Sequence, residues 1–181
     1  MSTDDLPGQP EEPHRPDRAL ADAAARGLEV ELVDIAALRG SAVPGPGTST
    51  GEADAWLGVK TLVVRVRDGE YLLALVPIDR VLSWKRLRTV VGVNRLHKPA
   101  ADVALAATGY ESGTITPLGA QGGWPVVADE RLAGRVVMLG SGVRGTGARV
   151  DGDALLAAYG ATVADVSDAP PSDEGQGRIS S

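Results

Sequence analysis

Two β-rich runs, Val59–Arg67 and Tyr71–Val76, are joined by Asp68-Gly69. That dipeptide between apolar segments is the strongest short-range hairpin signal a sequence can carry, so the middle of the chain must be antiparallel sheet. Other strands are expected at Leu28–Val33, Val93–Leu96, Val126–Ala128, Arg135–Leu139, Ala148–Val150 and 162–166. Helices are expected over 16–26, ending at Gly27, over Trp84–Val91 between Ser83 and Gly92, from Pro99 to Gly109, and over 153–159. Gly40 to Thr50 reads as a loop, and Ser49 with Glu52 forms a capping box that opens a short helix ending near Gly58. Several links are too short for parallel crossovers, so the fold class is α+β, a mixed sheet or partly closed barrel with helices around it.

The chain has 181 residues and a formal net charge of −6, enough for one domain with its own core. The charge is uneven. Residues 1–18 and 167–181 are acidic, polar and Pro/Gly/Ser-rich, with little to bury, and read as disordered tails flanking a domain at 19–166. Residues 60–98 hold nine bases against Asp68, Glu70 and Asp79. A basic middle on a near-neutral body suits a polyanion partner, and equally suits solvated strand and helix faces. The N-terminus lacks the basic start and apolar stretch of a signal peptide, and no apolar run is long enough to span a bilayer, so a cytoplasmic location is expected.

Cysteine is absent and only His14 and His97 are present. Thiol chemistry, thiolate metal sites and multi-histidine cages are excluded by count, and no cofactor is expected. Six aromatics and no Phe leave little for an aromatic platform that stacks bases. Gly140-Ser141-Gly142-Val143-Arg144-Gly145 formally matches a dinucleotide-binding GxGxxG, but no helix opens after it, and Leu139 spoils a GxSxG nucleophile elbow. His97 reads as an exposed strand-end residue, and Asp129 as the cap of the turn before Arg131 and Leu132.

Lys60 is the first candidate for chemistry. Strand period puts it on the face of Leu62, Val64 and Val66, where its ammonium either snorkels to solvent or projects into a cleft. There are three lysines against fifteen arginines, which makes a lysine there notable. The second candidate is the loop Gly109-Tyr110-Glu111-Ser112-Gly113-Thr114-Ile115-Thr116-Pro117-Leu118-Gly119. Its glycines allow backbone N–H groups to face a carbonyl, an oxyanion or a phosphate, although it also reads as a connecting loop.

Taken in order, Val59-Lys60-Thr61-Leu62-Val63-Val64, Thr108-Gly109-Tyr110-x-x-Gly113-x-x-x-Pro117-Leu118-Gly119, Pro125-Val126-Val127-x-Asp129 and Gly142-Val143-Arg144-Gly145 resemble the YbaK family. These are aminoacyl-tRNA editing domains, free-standing or associated with prolyl-tRNA synthetases, and the resemblance covers roughly residues 19–166. It implies a mixed, barrel-like sheet surrounded by helices. It also implies hydrolysis of the ester of a mischarged small amino acid, of the Cys or Ala class, on tRNA and often on tRNA(Pro). By the same resemblance, Lys60 and Gly113 are the catalytic positions. Thr61, Tyr110, Thr114, Ile115, Thr116, Pro117, Ser141, Gly142 and Arg144 are the substrate-binding ones. Implied partners are mischarged aminoacyl-tRNA and prolyl-tRNA synthetase, with no metal and no membrane, and Arg86, Arg88 and Arg95 are expected to contact tRNA phosphates. Four positions depart from the family pattern: Asp34, Ser112, Trp124 and Gly147. They leave room for a second reading, a non-catalytic module of the same fold that binds tRNA, a synthetase or a small ligand.

Overall fold

The central hairpin forms where its sequence places it: β2 (Trp56–Arg67) pairs antiparallel with β3 (Glu70–Pro77), Lys60 opposite Val76 and Thr61 opposite Leu75. The structure, a computed structural model, describes residues 15–40 and 56–170. Ahead of the hairpin lie α1 (Arg15–Ala25), β1 (Val30–Asp34) and α2 (Ile35–Gly40). After it come β4 (Val81–Leu82), α3 (Trp84–Val91), α4 (Ala101–Thr108), β5 (Val126–Asp129), β6 (Val136–Gly140), β7 (Thr146–Asp151), α5 (Gly152–Ala158), β8 (Thr162–Ala164) and β9 (Ser167–Asp168).

Seven strands make one sheet in the order β1-β7-β6-β2-β3-β5-β8, and β4 with β9 makes a separate two-stranded ribbon. The sheet is mixed: β2 meets β6 in parallel and β3 antiparallel, while β5 joins β3 and β8 in parallel. It ends in two edges, β1 and β8, so the barrel is not closed.

Both faces of β2 are covered, which its near-continuous apolar run requires. One face, with Leu57, Val59 and Val63, joins Leu73, Leu75, Val137 and Leu139 beneath Ala19 and Ala23 of α1 and Leu155 and Leu156 of α5. The other face, with Val64 flanked by Leu62 and Val66, packs with Leu72, Ala74 and Val127 against Leu87 of α3 and Val166. Lys60 belongs to this second, smaller cluster by strand period.

Several local expectations fail. The helix proposed to end near Gly58 cannot do so, because Trp56–Gly58 are strand residues paired with Val136–Met138; its start at Ser49–Glu52 lies outside the described residues. Residues 93–96 form no strand, and only the Arg65–His97 bridge survives there. Ser83 precedes α3 without bonding its N-terminus through the side chain; it is buried, and its N–H donates to the Val166 carbonyl. Arg15–Arg18 are helical and Ser167-Asp168 pair with β4, although both segments read as tails.

Candidate functional site

Parallel pairing of β2 with β6 ends at Gly58 and Met138, so Lys60 and Gly140 each lie two residues beyond the last pair, on the same side of their strands as that pair. Glycine is required at 140. A Cβ there would lie 2.7 Å from the Ile115 carbonyl oxygen and 2.9 Å from that of Thr114, so the loop rests directly on the sheet. Two more glycines are closely covered, Gly58 by Ile78 and Gly147 by the Met138 sulfur. Lys60 and the 110–119 loop, far apart in sequence, are therefore both brought to the end of the β2–β6 pairing.

The Lys60 ammonium donates to the Arg80 carbonyl at 2.5 Å. That carbonyl is itself held. The Arg80 guanidinium donates to Ser167 Oγ at 2.8 Å and to the Ser167 carbonyl at 3.1 Å, and Ser167 Oγ donates to Asp129 Oδ2 at 2.7 Å. Asp129 has no exposed surface, and it also accepts from the backbone N–H groups of Val166 and Arg131. The cap expected at Asp129 is present, and the same carboxylate anchors the chain of contacts that ends at Lys60.

On the opposite wall, the loop is tied down from within and from α1. The Tyr110 hydroxyl donates to the Leu118 carbonyl at 2.6 Å, Arg18 lies 4.3 Å over the Tyr110 ring, and Asp22 accepts from the Gly119 N–H at 3.0 Å. Burial pushes the Asp22 carboxyl up, but hydrogen bonds from Tyr159, the Gly119 N–H and Arg26 outweigh it and hold it below its ordinary value. The Tyr159 hydroxyl, partly buried and bonded to Asp22, is pushed up.

The residues named from the sequence divide by exposure. Ser112, Gly113 and Arg144 are exposed, and Lys60, Thr61 and Ile115 are partly so. Arg144 lies beside Glu111 at 3.7 Å and donates to the Ser112 carbonyl. Gly113 has φ 89 with nothing within 4 Å of a Cβ, so conformation rather than space excludes a side chain there. Tyr110, Thr116 and Ser141 have no exposed surface. Their hydroxyls engage Leu118, the Leu118 N–H and the Thr146 carbonyl, which holds the loop from beneath. Thr114, buried, bonds Glu111 and receives Gly142 N–H on its carbonyl; Pro117 is buried as well.

Sequence reasoning missed three contributors. Ile78, 55% exposed, forms an apolar wall above Gly58, and Arg80 supplies the carbonyl under Lys60. The third is the β2 edge facing β6. Arg65 N–H and C=O both bond His97, so by period two the N–H and C=O of Thr61 and Val63 face the same edge. Among the described residues they have no ladder partner, and Thr61 Oγ1 is buried without a hydrogen bond. An apolar Ile in a turn was the only sequence signal.

The family model of the aminoacyl-tRNA editing domain matches residues 49–158. The chain belongs to this family. Proline–tRNA ligase of Nitratidesulfovibrio vulgaris, from strains DP4 and Hildenborough, is 38% identical to the editing-domain chain over 99 residues. The match takes in 51% of this chain and 17% of the ligase, so the chain spans about a sixth of the curated relatives it matches. Among solved structures, a protein described as a candidate trans-editing enzyme for prolyl-tRNA synthetase superposes with TM-score 0.69 at 24% identity, covering 86% of this chain and 98% of that one. The hypothetical protein APE2540 superposes with TM-score 0.67 at 25% identity, covering 83% and 99%. The mixed α+β fold of these neighbours is the fold of this editing domain.

Three of the departures from the family pattern have structural tasks. Asp34 caps α2 by accepting from the Ala36 N–H at 2.8 Å. Trp124 donates to the Ala107 carbonyl and packs edge-on against Tyr71 at 5.1 Å. Gly147 admits Met138, whose sulfur would lie 2.7 Å from a Cβ. Among the described residues, no group of three or more acidic or histidine side chains is arranged to hold a metal ion, and no helix is long and apolar enough to cross a membrane.

Proposed function

We propose that this editing domain acts in trans as an aminoacyl-tRNA deacylase, hydrolysing the ester between a wrong, small amino acid of the Cys or Ala class and tRNA, with tRNA(Pro) as the preferred carrier. The observation that supports this reading is Lys60: its ammonium is fixed on the Arg80 carbonyl, two residues past the last β2–β6 pair, where the Thr114 and Ile115 carbonyls rest on Gly140 of β6. In this reading the Lys60 charge positions the 3′-terminal nucleotide or the aminoacyl group. The Gly113 amide region receives the ester carbonyl or the attacking water, with a terminal ribose hydroxyl assisting. Water adds to the carbonyl carbon, the ester C–O bond breaks, and the ribose oxygen leaves with a proton. Backbone donors aimed at a developing oxyanion typically contribute about 3–4 kcal/mol each. The wall at Ile78 and the buried Met138 leave an apolar border that suits a small side chain. Mischarged aminoacyl-tRNA is the substrate and prolyl-tRNA synthetase a partner in this proposal, as the 38% identity to proline–tRNA ligase suggests.

The test is a panel of mischarged tRNAs, including Cys and Ala on tRNA(Pro), incubated with wild type, Lys60→Ala and Lys60→Arg. Ester loss that Lys60→Ala abolishes and Lys60→Arg only partly restores supports the reading. Intact esters across the whole panel, with tRNA still bound, overturn it in favour of the non-catalytic module.

A further inference from the structure

The cations of the basic segment separate into two groups. Arg65 pairs with Asp68, Arg67 with Glu70, and Arg86 with Asp165 at 2.7 Å and Asp168 at 3.4 Å, while Arg80 is spent on Ser167. Arg86 is therefore a structural tie between α3 and the C-terminal segment, and it is a poor choice for a tRNA contact. Lys85, Arg88, Arg95 and Lys98 have no acidic partner among the described residues, and they gather along α3 and the loop after it.

A surface cavity of about 340 Å³ lies against the first two of these cations, lined by Lys85, Arg88, Thr89, Gly92, Val93 and Asn94. The lining follows helical spacing, with Lys85, Arg88, Thr89 and Gly92 on one face of α3, opposite the buried Leu87. At Gly92 the chain turns back, so Asn94 closes the end of the cavity. The negative end of the helix is blunted there, since the Gly92 and Val93 N–H groups both donate to the Arg88 carbonyl. The walls thus offer a guanidinium, an ammonium and an amide, and no carboxylate, while the Thr89 hydroxyl donates to the Lys85 carbonyl at 3.1 Å.

We infer that this cavity holds backbone phosphates of the tRNA whose 3′ end occupies the Lys60 site. The inference rests on the deacylase reading and adds where the polynucleotide runs. His97, just beyond the cavity, is bonded to Arg65. Arg65 lies five residues from Lys60 along β2, about 16 Å at the rise of a strand. A single nucleotide seated at Lys60 does not span that distance, whereas the continuing strand does.

The test is tRNA binding measured by fluorescence anisotropy across a salt series, with wild type, Lys85→Ala plus Arg88→Ala, and Arg86→Ala. The double variant is expected to bind about 10-fold more weakly, with a slope of log K against log salt flatter by about 1–2, one lost phosphate contact per cation. Arg86→Ala should keep the wild-type slope. Circular dichroism melts establish that the variants are folded, and Lys85→Glu plus Arg88→Glu should weaken binding further. If wild type deacylates tRNA and the double variant binds with unchanged affinity and slope, the cavity inference fails while the deacylase reading stands. Inorganic phosphate that saturates the cavity without displacing tRNA also overturns the inference, because it identifies a small-anion site. Wild type that neither binds tRNA nor deacylates it overturns both.

Discussion

Replacing Asp129 by Ala tests whether the Lys60 wall is anchored where the contacts place it. The carboxylate has no exposed surface and serves four donors: Ser167 Oγ at 2.7 Å, Val166 N–H at 3.2 Å, Arg131 N–H at 3.1 Å and the Arg131 guanidinium at 3.0 Å. In Asp129→Ala the guanidinium keeps Asp165 and water, being 35% exposed, so its charge is not stranded. The Val166 N–H and the Ser167 hydroxyl proton, both buried, lose their acceptor outright. Each orphaned donor costs about 1–3 kcal/mol, so the expected loss is about 3–5 kcal/mol, in line with breaking a buried charged contact. In urea unfolding this appears as a lower midpoint at unchanged slope, and in a thermal melt as a fall on the order of 10 °C. Asp129→Asn keeps one acceptor oxygen but turns its NH₂ toward a donor, and should lose about 2 kcal/mol. Asp165→Ala removes the other acid from the same arginine, at an exposed position where solvent screens the pair, and should cost much less than Asp129→Ala. Asp129→Ala costing less than about 1 kcal/mol, or no more than Asp165→Ala, would refute the reasoning. Asp129→Asn, assayed where it is fully folded, should also deacylate more slowly, because Ser167 no longer fixes Arg80 beneath Lys60.

Gly140→Ala should destabilise the fold by about 1–3 kcal/mol and raise KM, since its methyl group pushes against the Thr114 and Ile115 carbonyls; unfolding curves and initial rates measure both. Gly113→Ala meets no neighbour and should cost only the about 1–2 kcal/mol of a left-handed backbone, with deacylation reduced if the loop shifts to relieve it. The Asp22 carboxyl has its folded pKa lowered from 3.8, so its contribution is complete above that pH and is lost as pH falls through the lower folded value. Asp22→Asn should therefore flatten stability against pH below about 4, measured as urea midpoints, and leave the profile above pH 5 unchanged in shape.

Much of the architecture was legible because it is local. Asp68-Gly69 closes its hairpin and Gly92 and Gly109 end their helices at the expected residues. Gly58 misled for a physical reason: read as a helix stop, it is instead the place where Ile78 closes on the sheet, a contact that only the folded β2–β3 hairpin creates. Val93–Leu96 has strand composition but only His97 reaches a partner. At the site, Lys60 and the 110–119 loop stood out by type and pattern. The Arg80 carbonyl, the orphaned Thr61 hydroxyl and the anchoring role of Asp129 did not, because each depends on a partner brought in from a distant segment.

Both walls of the site are braced from outside the segment that defines the family. Residues 49–158 contain Lys60 and the loop, yet the loop is held by Arg18 and Asp22 of α1, and Arg80, whose carbonyl receives the Lys60 ammonium, is held through its guanidinium by Ser167 of β9. Glycines 58, 140 and 147 let Ile78, the loop backbone and Met138 close directly onto the sheet. The braces lie where the family motif does not reach, so sequence changes in α1 or β9 can shift the loop and Arg80 while every residue of the motif stays the same.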